Sequence, residues 1–308
     1  MSEAAERVST WQIRKPEVKT DEIARIERSL DLIDDALVMK AVRIVLRRYG
    51  IRKKLKPPVC SVSTEALKAR GGTHYICGSA TRDEFKIYEP GVRQREERGA
   101  NYLLTLLHVY LHEYVHMLEG EHRSKHKRIT IGGVRLHGVK VVSGYRVRVE
   151  LKLPKEFGFD EGLLVLNDTL NEAVTETLAR EAVAEYLQLD PRYGGVSDVA
   201  VDIHRNLMES DSDLVFYPTA VRFLSMLCQE LQQAFDSERD MRSFLYKGYF
   251  KGTDVLRSSR WMEILERCEL VGIMQSCSGQ NPNTAEKLIA MIHSKLRNLG
   301  TQMLEVAR

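Results

Sequence analysis

The sequence predicts an α+β protein: a small sheet, a long apolar helix, a β-rich insertion and a second long helix, followed by a helical C-terminal part. Three patterns predict it. Leu104, Leu107, Leu111, Val115 and Leu118 recur at three- and four-residue spacing, the mark of one buried helix face. The stretch from Asp168 to Leu187 has few helix breakers and places Leu170, Ala173, Val174, Leu178, Ala182 and Val183 on one side. Between them, residues 129–153 alternate apolar and polar side chains, with breaks at Gly132-Gly133, Gly138 and Gly144, as a β-hairpin or meander does. Three regions follow: a helical arm over 1–56, a core over 57–190 carrying the β insertion at about 129–153, and a helical subdomain over 191–308.

Residues 1–20 read as a polar lead-in. From Asp21 to Gly50 the pattern gives two helices broken near Asp34-Asp35, with Ile23, Ile26, Leu30 and Ile33 marking the first and Gly50 ending the second. The run Arg47 to Lys56 is basic and ends at Pro57-Pro58. Cations suit a helix C-terminus, so a solvated helix end is the simpler reading, and a patch for nucleic acid or an acidic partner is the other. Short strands are expected at Val59–Val62, Thr73–Cys77 and Phe85–Tyr88. An extended peptide can add to the edge of such a sheet. Beyond the second long helix, Phe223, Leu227, Leu231 and Phe235 mark another helix, and further helices are expected over about 239–250, after Ser259, and over about 284–299. The cations Arg135, Lys140, Arg146, Arg148 and Lys152 fall on the polar side of the alternating segment and read as a solvated face.

Inside the apolar helix lies His112-Glu113-Tyr114-Val115-His116, an HExxH sequence. Residues four apart share a helix face, so His112 and His116 can each direct a ring nitrogen at one Zn²⁺. Glu113, one position round, reaches the side where a water would sit, as metal-assisted hydrolysis requires. The stripe of His108, His112 and His116 runs about 100° round from Leu107, Leu111 and Val115, so one flank packs and the next presents ligands.

A catalytic zinc takes three protein ligands and keeps a fourth position for water. Glu172 and Glu176, four apart on the second long helix, can face the same way; one would bind the metal and the other hydrogen-bond a ligand histidine. Glu181 and Glu185 on the same helix read as a solvated face. His122, six residues after His116, competes for the third place, but the spacing pattern it belongs to needs a glycine where Glu119 stands, with Gly120 one residue late. His122 also opens the polar run Arg123–Arg128, which reads as an exposed loop. The balance favours Glu172.

HExxH followed by Asn171-Glu172-Ala173-Val174-Thr175-Glu176 resembles the gluzincin metallopeptidases, the group that includes thermolysin. The resemblance covers the two motif helices and implies a zincin-like peptidase core. It implies His112, His116 and Glu172 as zinc ligands, Glu113 as general base and Glu176 as a partner of a zinc histidine. The separation of His116 from Glu172 is longer than in thermolysin, which leaves the shape of the cleft open.

The expected activity is therefore zinc-dependent peptide-bond hydrolysis on a peptide or protein substrate. Tyr217, before Pro218, is the first candidate for stabilising the oxyanion, with His204 second. The alternative is a non-catalytic or regulatory zincin-fold binding protein that uses the 43–56 basic cluster. Retention of Glu113 argues against it, since a structural zinc needs no base. A formal net charge of +3 does not by itself point to nucleic acid. No run of apolar residues is long enough for a membrane span, and the start has no apolar signal region. With five scattered cysteines lacking CxxC spacing, the expected location is cytoplasmic.

Overall fold

A computed structural model describes residues 20–68, 75–131, 134–152, 161–193, 218–255 and 257–271. Within them the chain is mixed α+β, with eight helices, a three-stranded sheet and a four-stranded sheet. Helices α1 (Thr20–Leu30) and α2 (Asp35–Arg48) break where expected, because Asp34 caps α2 by accepting from Ala36 N and Leu37 N at 2.8 and 3.1 Å.

Strands β1 (Cys60–Ser63), β2 (Gly78–Ala80) and β3 (Phe85–Tyr88) form the small sheet in the order β1-β3-β2, with β1 parallel and β2 antiparallel to β3. The strand expected at Thr73–Cys77 is displaced. Of its described residues, Tyr75 makes only an isolated bridge to Lys68, and the pairing falls on Gly78, Ser79 and Ala80 instead. Local β propensity favours Tyr75-Ile76-Cys77; register with Ile87, Lys86 and Phe85 overrides it. Pro90 then sets the start of α3 (Glu89–Glu97), and Asn101 caps α4 (Tyr102–Met117) by accepting from Leu104 N at 3.1 Å.

The insertion is a four-stranded antiparallel meander, β4 (Glu121–Ile131), β5 (Val134–Ser143), β6 (Arg146–Lys152) and β7 (Glu161–Leu166), paired in sequence order. It begins earlier than the alternation suggests. Arg123–Arg128 belong to β4, not to a loop: residues 121–126 pair with β5 from Ser143 back to Gly138, and this ladder carries a polar stretch that alternation alone does not reveal. Gly144 turns β5 into β6 at φ 58°, where a Cβ would lie 2.2 Å from Asn171 Oδ1.

Helix α5 (Asp168–Leu189) runs through the centre, with α2, α4 and α6 (Pro218–Gln232) packed on it. Helices α7 (Glu238–Lys251) and α8 (Ser259–Arg267) follow, close to their expected places, while the helix expected over 284–299 lies outside the described residues. One apolar core joins Ile26, Val45, Leu111, Val174, Leu227, Tyr249 and Trp261. Both motif helices thus stand against each other inside it, which fixes the face that each presents.

Two groups expected on solvated faces are instead paired. Arg48 bonds Glu181 at 2.9 Å and also binds Glu185, while the Tyr49 hydroxyl donates to Glu181 at 2.8 Å, so these acids tie α2 to α5. Lys140, 8% exposed, pairs with Asp254. Helical and strand periods locate a polar side chain on the outer face of its own element; they do not tell whether another element covers that face.

Candidate metal centre

Helix geometry brings His112 and His116 together as expected. Their Nε2 atoms lie 3.1 Å apart, and Glu172 Oε2, from α5, lies 3.2 Å from His116 Nε2 and 3.4 Å from His112 Nε2. Donor atoms about 2.0–2.1 Å from a tetrahedral ion stand roughly 3.3–3.4 Å apart, so this triangle, with edges of 3.1, 3.2 and 3.4 Å, is slightly tighter than such a site. Among the described residues these three form the one group of His, Cys, Asp and Glu side chains close enough to hold a metal ion. His122 is not in it: the residue is exposed on β4, paired with Val142.

The outer nitrogen of each histidine is committed to a carboxylate. His112 Nδ1 lies 2.9 Å from Glu176 Oε2, and His116 Nδ1 bonds Glu119 Oε1. With Nδ1–H donating outward, each neutral imidazole aims its Nε2 lone pair inward at the other and at the Glu172 carboxylate. Three electron-rich atoms at such separations repel unless a positive charge lies among them. In the metal-free protein that charge is a proton. Burial acts to lower the His112 pKa, but hydrogen bonds to Glu172 and Glu176 outweigh it and push the group up to about 9. His116 is raised well above its usual value, burial again being outweighed by Glu172 and Glu119. A divalent cation would take the place of these protons.

Glu176 is fully buried and accepts from three sides: His108 Nε2 at 3.1 Å, His112 Nδ1 and Arg180 Nε at 2.7 Å. Burial favours its neutral form, but His108, His112 and Arg180 hold it well below the usual carboxylate range. Glu176 thus lies against His112, and His108 joins it from one turn before His112.

Two partners lie beyond those expected from the sequence. Glu119 accepts from His116, from Asn171 Nδ2 at 2.7 Å, from the Tyr249 hydroxyl at 2.9 Å and from Ser143 Oγ. These donors overcome burial and hold its pKa at about 2. The three-residue spacing from His116 was a visible signal for this pair. Arg146 bonds Glu172 Oε1 through one terminal nitrogen and Asp168 Oδ1 through Nε. Far from a solvated face, its side chain is 15% exposed, because the start of β6 meets the first turn of α5. Arg146 and His116 keep Glu172 ionised well below its usual range despite burial.

Glu113 is 6% exposed, and among the described residues no side chain donates a hydrogen bond to it. Burial raises its pKa against the attraction of His112 and His116. Its carboxylate rests on β2: a Cβ at Gly78 would stand 2.5 Å from Glu113 Oε1. The glycine at the start of β2 is therefore what makes room for this side chain. Tyr217 and His204 lie outside the described residues. Comparison of the chain with family models, with curated proteins and with solved structures finds no match.

Proposed function

We propose that the protein is a zinc-dependent metallopeptidase with a zincin-like core of gluzincin type. The observation that carries this reading is the convergence of His112 Nε2, His116 Nε2 and Glu172 Oε2, each histidine being held by a carboxylate behind it, with Glu113 alongside on the same helix. A structural zinc is usually closed by four protein ligands; three ligands and a neighbouring carboxylate that is not a ligand suit a catalytic site. Zinc bound there would supply a Lewis acid that polarises the scissile carbonyl and lowers the pKa of a water toward about 7.

The chain's own groups divide the remaining work. Glu113, accepting no hydrogen bond from the described residues and raised in pKa by burial, is suited to take a proton from the attacking water and deliver it to the leaving amine. Glu176 and Glu119 orient the two imidazoles, and Arg146 orients Glu172. The outer edge of β2 pairs with no strand among the described residues, so an extended peptide can bond to it beside Glu113. A cytoplasmic location is part of this proposal, supported by Cys60, Cys77, Cys228 and Cys268 being free thiols. No helix among the described residues is long and apolar enough to cross a membrane.

The test compares wild type with Glu113→Gln on a mixed peptide library, with and without chelator, cleavage being read by mass spectrometry. The variant should keep its zinc and lose about 10²–10⁴-fold in rate. Wild type and variant equally inert, or equally active, would overturn the reading.

A further inference from the structure

The end of α2 and the chain after it form a groove of about 320 Å³ rimmed by Arg43, Arg47, Arg52, Lys53 and Lys54, with Leu46 and Ile51 also lining it. None of these five cations pairs with a carboxylate among the described residues. Elsewhere pairing is common: Arg25 with Glu96, Arg93 with Glu22, Arg192 with Asp190 and Arg242 with Glu238. Arg48, in the same turn of α2, points to α5 and pairs there with Glu181 and Glu185. The helix dipole accounts for Arg47 in the last turn, but not for Arg43 a turn earlier or for the three cations beyond the helix. Burial lowers the Lys53 pKa first, and the nearby cations Arg82 and Lys56 lower it further against the attraction of Glu119. A concave surface lined by cations that form no ion pair among the described residues is complementary to an anionic ligand.

Its position says which kind. The Lys53 ammonium sits 5.3 Å from the centre of the Phe250 ring, and the Phe250 carbonyl packs against Gly120, just past the end of α4. On the other side, Lys53 is within electrostatic reach of Arg82, in the turn between β2 and β3. A peptide following the edge of β2 from Gly78, beside Glu113, to Ala80 is thus led to Arg82, then to Lys53 and the groove. At about 3.3 Å per residue the groove meets side chains several positions from the bond next to Glu113. The groove lining contains no aromatic ring on which a base could stack, which favours a peptide over a single-stranded nucleic acid.

We propose that this groove binds an acidic segment of the protein substrate, several residues to one side of the bond that is cut. The proposal rests on the peptidase reading for its substrate, but its binding step can be measured without cleavage. Fluorescence anisotropy on zinc-loaded Glu113→Gln protein would use labelled peptides of equal length carrying a Glu-rich, a Gln-rich or a Lys-rich block, and a duplex DNA. A second protein would add Arg47→Glu, Arg52→Glu and Lys54→Glu, all at exposed positions; an unchanged thermal unfolding midpoint and zinc content would show it intact. The Glu-rich peptide should bind at least tenfold more tightly than the Gln-rich one, weaken with salt, and lose its advantage in the charge-reversed protein. Equal binding of the Glu-rich and Gln-rich peptides, an advantage that survives charge reversal, or tighter binding of the duplex would overturn the proposal. Cleavage of the library by wild type separates the two readings. Cuts without acidic residues to one side, together with no Glu-rich preference in binding, sink the groove alone. A Glu-rich preference abolished by charge reversal, in a protein that cuts nothing, supports the groove and sinks the peptidase.

Discussion

Glu119 accepts the Nδ1–H of His116 and in turn receives Asn171, Tyr249 and Ser143, so one carboxylate joins the end of α4 to α5, α7 and β5. Each of those donors points at an acceptor with no proton of its own. Glu119→Gln turns one acceptor oxygen into an NH₂ that faces donors. Zinc affinity should fall about 10–100-fold, as measured by competition with a chromophoric chelator. Wild-type affinity would remove Glu119 from the ligand-orienting set.

The same carboxylate makes a pH prediction. Its folded pKa of about 2 lies below its ordinary 4.5, so it adds stability that is fully present above pH 4.5 and is lost as pH falls toward 2. Metal-free wild type should lose stability through that window in urea titrations. Metal-free Glu119→Gln should start lower at neutral pH and show a shallower loss.

Arg146 neutralises Glu172 and Asp168 together. Arg146→Met leaves two largely covered carboxylates without it and should cost about 3 kcal/mol in denaturant unfolding of the metal-free protein. Arg146→Lys keeps the charge, but one ammonium cannot reproduce the two separate contacts, so it should restore only part of the loss. Full recovery with Lys would mean that charge alone, not geometry, holds Glu172.

Glu176 is the shared acceptor of His108, His112 and Arg180. Glu176→Gln should weaken zinc binding about 10–100-fold and also lower stability, since buried donors lose an ionised partner. Glu172→Gln should weaken zinc retention strongly through loss of a ligand, whereas His122→Ala, at an exposed strand position, should leave it unchanged. Metal analysis of the three variants side by side checks the assignment; zinc loss in His122→Ala alone would replace Glu172 as third ligand.

Gly78→Ala tests Glu113 without touching it. The new methyl would stand 2.5 Å from Glu113 Oε1 and 2.6 Å from its Cγ, so the carboxylate must move. Turnover should drop while zinc content stays at the wild-type level. Unchanged turnover would show that the carboxylate's present position is not the one that matters.

Periodicity along the chain was enough to determine the two long helices, that His112 and His116 share one helix face and Glu172 and Glu176 another, and that a β-hairpin or meander lies between them. These are relations within one element, fixed by about 3.6 residues per helical turn and by alternation along a strand. Sequence favoured Glu172 over His122 as third ligand without bringing either to the histidines. Tertiary structure places Glu172 beside them, by packing α5 against α4, and carries His122 away by sending the chain after Gly120 into β4. It likewise decided that Arg146, polar by pattern, is largely covered and bonded to Glu172, and that Gly78 in place of a bulkier strand residue gives Glu113 its room. Such contacts depend on which element covers which face, and the two residues of each pair stand too far apart in sequence for any local period to connect them.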